Sequence, residues 1–290
     1  MTDSYGSGGQ FSGLRWRHAV APAGIVGLAS AIVIGIVGPN VFLGQMRATL
    51  QLLGLILVCL MPLAILVLAQ HRWSGGLALV AVIWLFTVNL VSLSLPRIGF
   101  FAELDWNWQG KTLDLIWCLL LIGLLSPRVR REIGWTWATY PGTLPVAFIN
   151  IAILVVVGFF VLGADAFNSD AQGATLERLL YDASYANLVE EIVFRGFMLA
   201  LLDRAFGTRW WFSGAQIGWG VVLTAWLFGL AHGIALSPDG ALSFDPFYFI
   251  MTFVAGLLFG WIRALTGSLW PAYLAHTAPE VGILLALVIF

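Results

Sequence analysis

Ala183–Leu202 reads ASYANLVEEIVFRGFMLALL. A helix needs ~20 mostly apolar residues to cross the hydrocarbon core of a bilayer, and this stretch has that length. It also carries Glu190, Glu191 and Arg195. Each charge at the centre of a spanning helix costs ~2.5–3.5 kcal/mol on insertion scales. Such a helix survives in lipid only if its charges face protein or a wet cavity, so the rest of the chain decides what it is.

Composition decides for the membrane. Of the 290 residues, 60% are apolar and 10% are charged, with a mean hydropathy of +0.92. A soluble domain of this size carries roughly a quarter of its residues as charges. The net charge of −1 excludes a broad basic surface for nucleic acid. Cys59 and Cys118 both lie in apolar stretches and read as small packing residues, not as a disulfide or a metal pair.

Nine apolar runs predict an all-α, polytopic transmembrane bundle of eight to nine helices: 20–38, 50–69, 75–95, 112–126, 143–163, 184–203, 216–235, 247–264 and 269–289. The fourth is short and carries Asp114, which suits a half-span or an interfacial helix. Before it, Phe100–Lys111 reads FFAELDWNWQGK, whose alternating Trp and polar residues suit the headgroup layer. Ser4–Gly13 reads as a flexible tail. The first apolar run starts near Ala19 without a cleavage-site pattern and reads as a retained first span. With the N-terminus inside, Arg15, Arg17, Arg72, Arg128, Arg130, Arg131, Arg204, Arg209 and Arg263 are inside. Arg47, Arg97, Lys111 and Arg178 are then outside, nine against four as the positive-inside rule asks. The acidic loop Asp165–Asp182 also falls outside. The chain divides into a tail over 1–18, N-terminal spans over 19–139 and a C-terminal unit over 140–290 that holds the charged spans.

Helical spacing sorts the charges of the sixth span. Glu191 and Arg195 stand i,i+4 with the acid N-terminal, the favourable order for a pair on one helix. Glu190 is turned about 100° away and has no base within reach on its own helix, so it needs an outside partner. The seventh span, IGWGVVLTAWLFGLAHGIAL, holds His232. The ninth, SLWPAYLAHTAPEVGILLALVIF, holds His276 and Glu280 one turn apart, with Pro279 freeing the carbonyl of Ala275. Two readings fit: buried polar pairs that only hold helices together, or a wet Glu/His pocket equipped for general-base chemistry. Gly256 and Gly260 predict close packing of the eighth span on a neighbour.

Three short patterns now stand in order on three spans: Glu190-Glu191-Ile-Val-Phe-Arg195 as EExxxR, Phe228-Gly-Leu-Ala-His232 as FxxxH, and His276 opening an HxxxN-like pattern. Together they resemble the CPBP family of intramembrane proteases, which includes type II CAAX prenyl endopeptidases and bacteriocin-processing or self-immunity proteins. The resemblance covers roughly 140–290. It implies an intramembrane endopeptidase that hydrolyses a peptide bond of a membrane-associated protein or peptide, within a lipid bilayer and with no nucleic acid partner. The expected setting is a multi-pass protein of a bacterial cell membrane. It implies Glu190 as the base that activates water, His232 as a holder of that water, and His276 with the last motif position as oxyanion stabilisers. Glu191, Arg195 and Phe228 would be supporting residues.

The chain departs from the family at that last position, where Asn is replaced by Glu280. An amide donates to an oxyanion, whereas an ionised carboxylate repels it. Glu280 could donate as a neutral acid; Asn187, three residues before Glu190 and roughly on its face, could supply the amide; or the protein could be a non-catalytic membrane chaperone, scaffold or immunity protein of the same fold. A proton- or ion-coupled transporter would also place Glu and His at mid-membrane, but it predicts internal repeats that are not evident here. No cofactor is expected. The alternative is zinc held by Glu190, His232, His276 and Glu280, with HxxxE spacing on one helix but without the HExxH signature.

Overall fold

The computed structural model describes residues 16–71, 75–162, 176–236 and 241–289. The tail Ser4–Gly13, Arg15, Arg72 and most of the acidic loop lie outside them, so the orientation read from the arginines is not decided here. The described chain is an all-α polytopic bundle, and the protein is an integral membrane protein. α1 (Trp16–Val37) and α2 (Pro39–Gln70) are separated by Gly38, whose φ of 84° ends one helix before Pro39 starts the next. α3 (Gly76–Ser94) leads through a 3-10 turn (Gly99–Ala102) to α4 (Trp108–Leu124) and α5 (Pro127–Glu132). α6 (Leu144–Val157) continues as a π-turn over Gly158–Leu162.

All nine expected runs contain helix, but among the described residues only six helices are long and apolar enough to cross by themselves. The fourth starts earlier than its apolar run, because the Asn107 side chain caps it by accepting from the Gly110 N–H. At 17 residues it spans about 26 Å. The sixth is segmented: α7 (Leu176–Tyr181), a π-stretch (Asp182–Ala186), α8 (Asn187–Glu191), a second π-stretch (Ile192–Met198) and α9 (Leu199–Phe206).

The seventh is shorter than its pattern suggested. Its helix, α10, covers only Trp219–Gly233, about 22 Å. Its ends are taken by strands: β1 (Thr208–Phe212) pairs with β2 (Ala215–Gly218), and β3 (Ile234–Leu236) with β4 (Leu242–Phe244). The first hairpin turns at Ser213 and Gly214, both with positive φ, as a tight two-residue connection requires. α11 (Pro246–Thr266) is capped by Asp245 and ends at Gly267, and α12 (Leu269–Ile289) follows at once.

Packing is closest where glycine removes side chains. A Cβ at Gly256 would lie 3.0 Å from the Ala225 Cα, and one at Gly260 would lie 2.9 Å from Val221, so α11 lies close against α10 as the spacing predicts. The α6–α12 seam is tighter still. A Cβ at Gly158 would lie 2.1 Å from the Pro279 carbonyl oxygen, and one at Gly282 would lie 2.2 Å from that of Val155. The outer face of α6 exposes Phe148, Ile149, Ile153, Val156 and Phe160, which suits lipid as solvent. Inside are the groups lipid would reject: Lys111, Asp114, Glu191 and Arg195 are all buried.

Candidate active site

Glu190 and Glu191 end α8, and their side chains point to different partners. Glu191 is fully buried. Its Oε1 lies 3.1 Å from Arg195 Nη1, the pairing expected from i,i+4 spacing, and 2.9 Å from His276 Nδ1. The second contact, across 85 residues, was not expected; it makes Glu191 the group that orients His276. Arg195 sits at the start of an aromatic box, its guanidinium carbon 4.4 Å from the Phe228 ring centre and 5.3 Å from that of Phe259. Cation–π attraction helps to compensate a charge buried in this way. Phe228 also meets His232 at 4.3 Å, and Phe259 stacks on His276 at 4.7 Å. The π-stretch that follows Glu191 is a wide turn of the kind often found at functional sites.

Glu190 finds the outside partner it needs, on an element that the motif reading does not include. Its Oε1 lies 2.5 Å from Nζ of Lys111, in the first turns of α4. Lys111 was expected in an outside loop. It is buried instead, because the Asn107 cap starts the helix four residues earlier. One turn on, Asp114 is held by Asn89 Nδ2 and Trp117 Nε1, which donate to its two oxygens at 2.7 Å each.

The other oxygen of Glu190 faces both histidines. Oε2 is 4.0 Å from His232 Nε2 and 3.9 Å from His276 Nε2. These separations are too long for direct hydrogen bonds and short enough for one water to span, with an angle of about 90° at its oxygen if each bond is ~2.8 Å. His232 Nδ1 lies 2.8 Å from the carbonyl of Phe228 one turn earlier. A carbonyl only accepts, so the proton sits on Nδ1, and Nε2 of the neutral ring offers a lone pair to the cavity.

The other two candidates are less connected. Glu280 Oε2 and Asn187 Nδ2 are each buried without a hydrogen-bond partner among the described residues. The structure thus brings Glu190, His232 and His276 together, arranges Glu191, Arg195 and Phe228 around them, and leaves Asn187 and Glu280 with unused polar atoms. Among the described residues, no group of three or more His, Cys, Asp or Glu side chains is arranged to hold a metal ion.

Comparison with protein families finds a match over residues 173–281 to the Rce1-like family, described as type II CAAX prenyl endopeptidase Rce1-like. Over that segment the chain is similar to the CAAX protease-like family. Comparisons with curated proteins and with solved structures each gave no match. The Rce1-like segment holds Glu190–Arg195, Phe228–His232 and His276–Glu280, and the family is one of membrane endopeptidases. Lys111 lies before the matched segment. The available signal for it was composition: it is the single lysine beside thirteen arginines.

The edge of the Rce1-like segment is tied to α4 by Glu177. Its Oε1 accepts from the Trp106 N–H and the Trp108 indole at 3.0 Å each, and its Oε2 accepts from the Asp105 N–H at 3.3 Å. The Trp106 hydrogen bond is the largest of the effects that hold the Glu177 carboxyl below its ordinary pKa of 4.5, despite an opposing desolvation. A carboxylate depressed in the folded state stabilises it above the ordinary pKa and loses that contribution as pH falls through the lower, folded value. The tether should therefore hold at neutral pH and release only in acid below the ordinary carboxylate value. The indole N–H NMR resonance of Trp108 should shift as Glu177 is protonated in acid, and a resonance that stays unchanged when Glu177→Gln removes the carboxylate would contradict the tether.

Proposed function

We propose that the protein is an intramembrane endopeptidase in which Glu190 activates water for attack on a peptide bond of a membrane-associated protein or peptide. The observation that carries the reading is the position of Glu190 Oε2, free of Lys111 and facing Nε2 of both His232 and His276 at 4.0 and 3.9 Å. A water in that gap donates one proton toward Glu190 and the other toward His232. As it attacks, its O–H bond breaks to Glu190, its oxygen bonds to the carbonyl carbon, and the carbonyl π pair moves onto oxygen. His276, oriented by Glu191, stabilises that oxyanion together with Glu280 acting as an uncharged acid; Asn187, three residues before Glu190 on α8, is the alternative donor. Collapse breaks the C–N bond, and the leaving amine takes the proton from Glu190. This sequence uses no metal, and the ammonium on Glu190 Oε1 opposes a second cation there.

The second reading, a non-catalytic chaperone, scaffold or immunity protein, is favoured by Glu280 standing where the family has Asn. Reconstitution in liposomes with a membrane-tethered peptide library, read by mass spectrometry, separates the two. Cleavage that survives 1,10-phenanthroline is the expected result. No cleavage of any member would favour the non-catalytic reading, and loss to the chelator restored by zinc would favour the metal reading.

A further inference from the structure

We infer that Lys111 is part of the reacting unit, as the cation that balances the charge of Glu190 before water attack and of the substrate oxyanion after it. The inference rests on the proteolytic reading above and deepens it. Lys111 comes from α4, outside the segment matched to the family. Its side chain is 5% exposed and its Nζ lies 2.5 Å from Glu190 Oε1, while Glu190 is 16% exposed. An ammonium so buried needs an anion at every stage, because an unpaired charge in a low-dielectric interior costs several kcal/mol.

Attack creates that problem and solves it in one step. When Glu190 takes the water proton it becomes neutral, and Lys111 loses its counter-ion. At the same moment a negative charge appears on the carbonyl oxygen bonded, through carbon, to the attacking water oxygen, a few ångströms away. Lys111 plus anionic Glu190 becomes Lys111 plus oxyanion, with no net charge created. A compact ammonium on a flexible stem with three donors can turn from one oxygen to the other, whereas a planar guanidinium would grip both carboxylate oxygens. Asp114, one turn on in α4, is already hydrogen-bonded by Asn89 and Trp117, so Lys111 remains directed to Glu190. The arrangement also lessens the cost of the Asn-to-Glu280 departure, since a cation replaces part of what the amide supplies.

Lys111→Gln tests this directly. Glutamine still donates a hydrogen bond to Glu190 Oε1 and positions it, but carries no charge. With the reconstituted protein and the best-cleaved peptide of the library, kcat should fall ~10²–10³-fold, as for loss of a single oxyanion-stabilising group, with KM within about threefold. Affinity for a phosphinate analogue of that peptide, an anionic mimic of the tetrahedral state, should fall by a similar factor while the parent peptide binds as before. Lys111→Arg, which keeps the charge, should recover part of the phosphinate affinity and guards against a Gln variant that fails to fold. Full kcat in Lys111→Gln, or phosphinate affinity unchanged in it, overturns the inference. Glu190→Gln is the companion control. If it keeps the turnover of the unmodified protein, the base assignment itself fails; if its turnover falls ~10²–10⁴-fold while Lys111→Gln keeps full kcat, only the role of Lys111 fails.

Discussion

Glu190→Gln is expected to lower turnover by about 10²–10⁴-fold, the range for removing a general base, with the protein still folded. Glutamine has the same shape, and its carbonyl oxygen still accepts from Lys111 across the 2.5 Å contact. The buried ammonium loses its counter-ion, so a drop in melting temperature is expected beside an activity loss too large to follow from it. What is lost is the ability to take a proton at Oε2. The neighbouring Glu191→Gln should behave differently. Glu191 is fully buried between Arg195 at 3.1 Å and His276 at 2.9 Å. Removing its charge strands a buried guanidinium, a defect of about 3–5 kcal/mol, and loosens the ring that faces the cavity. Its signature is a lower melting temperature with an activity loss that follows it. Melting temperature and kcat measured on both variants decide the matter. Equal activity losses at unchanged stability would contradict this division between the two glutamates.

Glu280→Ala should cost ~10²–10³-fold in kcat, the scale of one oxyanion-hole donor, whereas Glu280→Gln should retain much of the activity. Glu280 stands one turn after His276 on α12, with Oε2 buried and without a hydrogen-bond partner among the described residues. An ionised oxygen in that position is costly, while an acid or an amide has a hydrogen to give. Glutamine restores the amide chemistry that the family keeps at this position, one methylene longer. Alanine removes the donor altogether. Single-turnover rates at saturating peptide distinguish the two variants. If the Gln variant is as slow as the Ala variant, Glu280 works as a carboxylate, and metal ligation returns to consideration.

Much of this was legible in the sequence because lipid makes charge conspicuous. Glu190, Glu191 and Arg195 stood out in a twenty-residue apolar window, and i,i+4 spacing alone assigned the Glu191–Arg195 pair. The same spacing left Glu190 without a partner, which is why one had to be sought elsewhere. Lys111 escaped because hydropathy places it at the edge of the fourth run, and only the Asn107 cap reveals that the helix starts before it. The contact of Glu191 with His276 joins positions 85 residues apart, and no local period encodes it. The seventh span was read too long for a different reason: Ile217, Ile234 and Leu236 are apolar whether they extend a helix or pair in a hairpin.

The seam between α6 and α12 has a consequence for how a substrate arrives. A protease that takes its substrate sideways from the bilayer needs two neighbouring helices that can part. At Gly158 and Gly282 the two backbones touch without intervening side chains, so no rotamer change can widen the gap, and α6 travels with the helix that carries His276. α4 is joined to the sixth run by side chains instead: Thr112 meets Tyr185 through their hydroxyls, and the rings of Trp108 and Tyr181 meet edge to face. Such contacts swing aside through side-chain torsions, so on the proteolytic reading a parting of helices beside Glu190 is expected between α4 and α7 and not between α6 and α12.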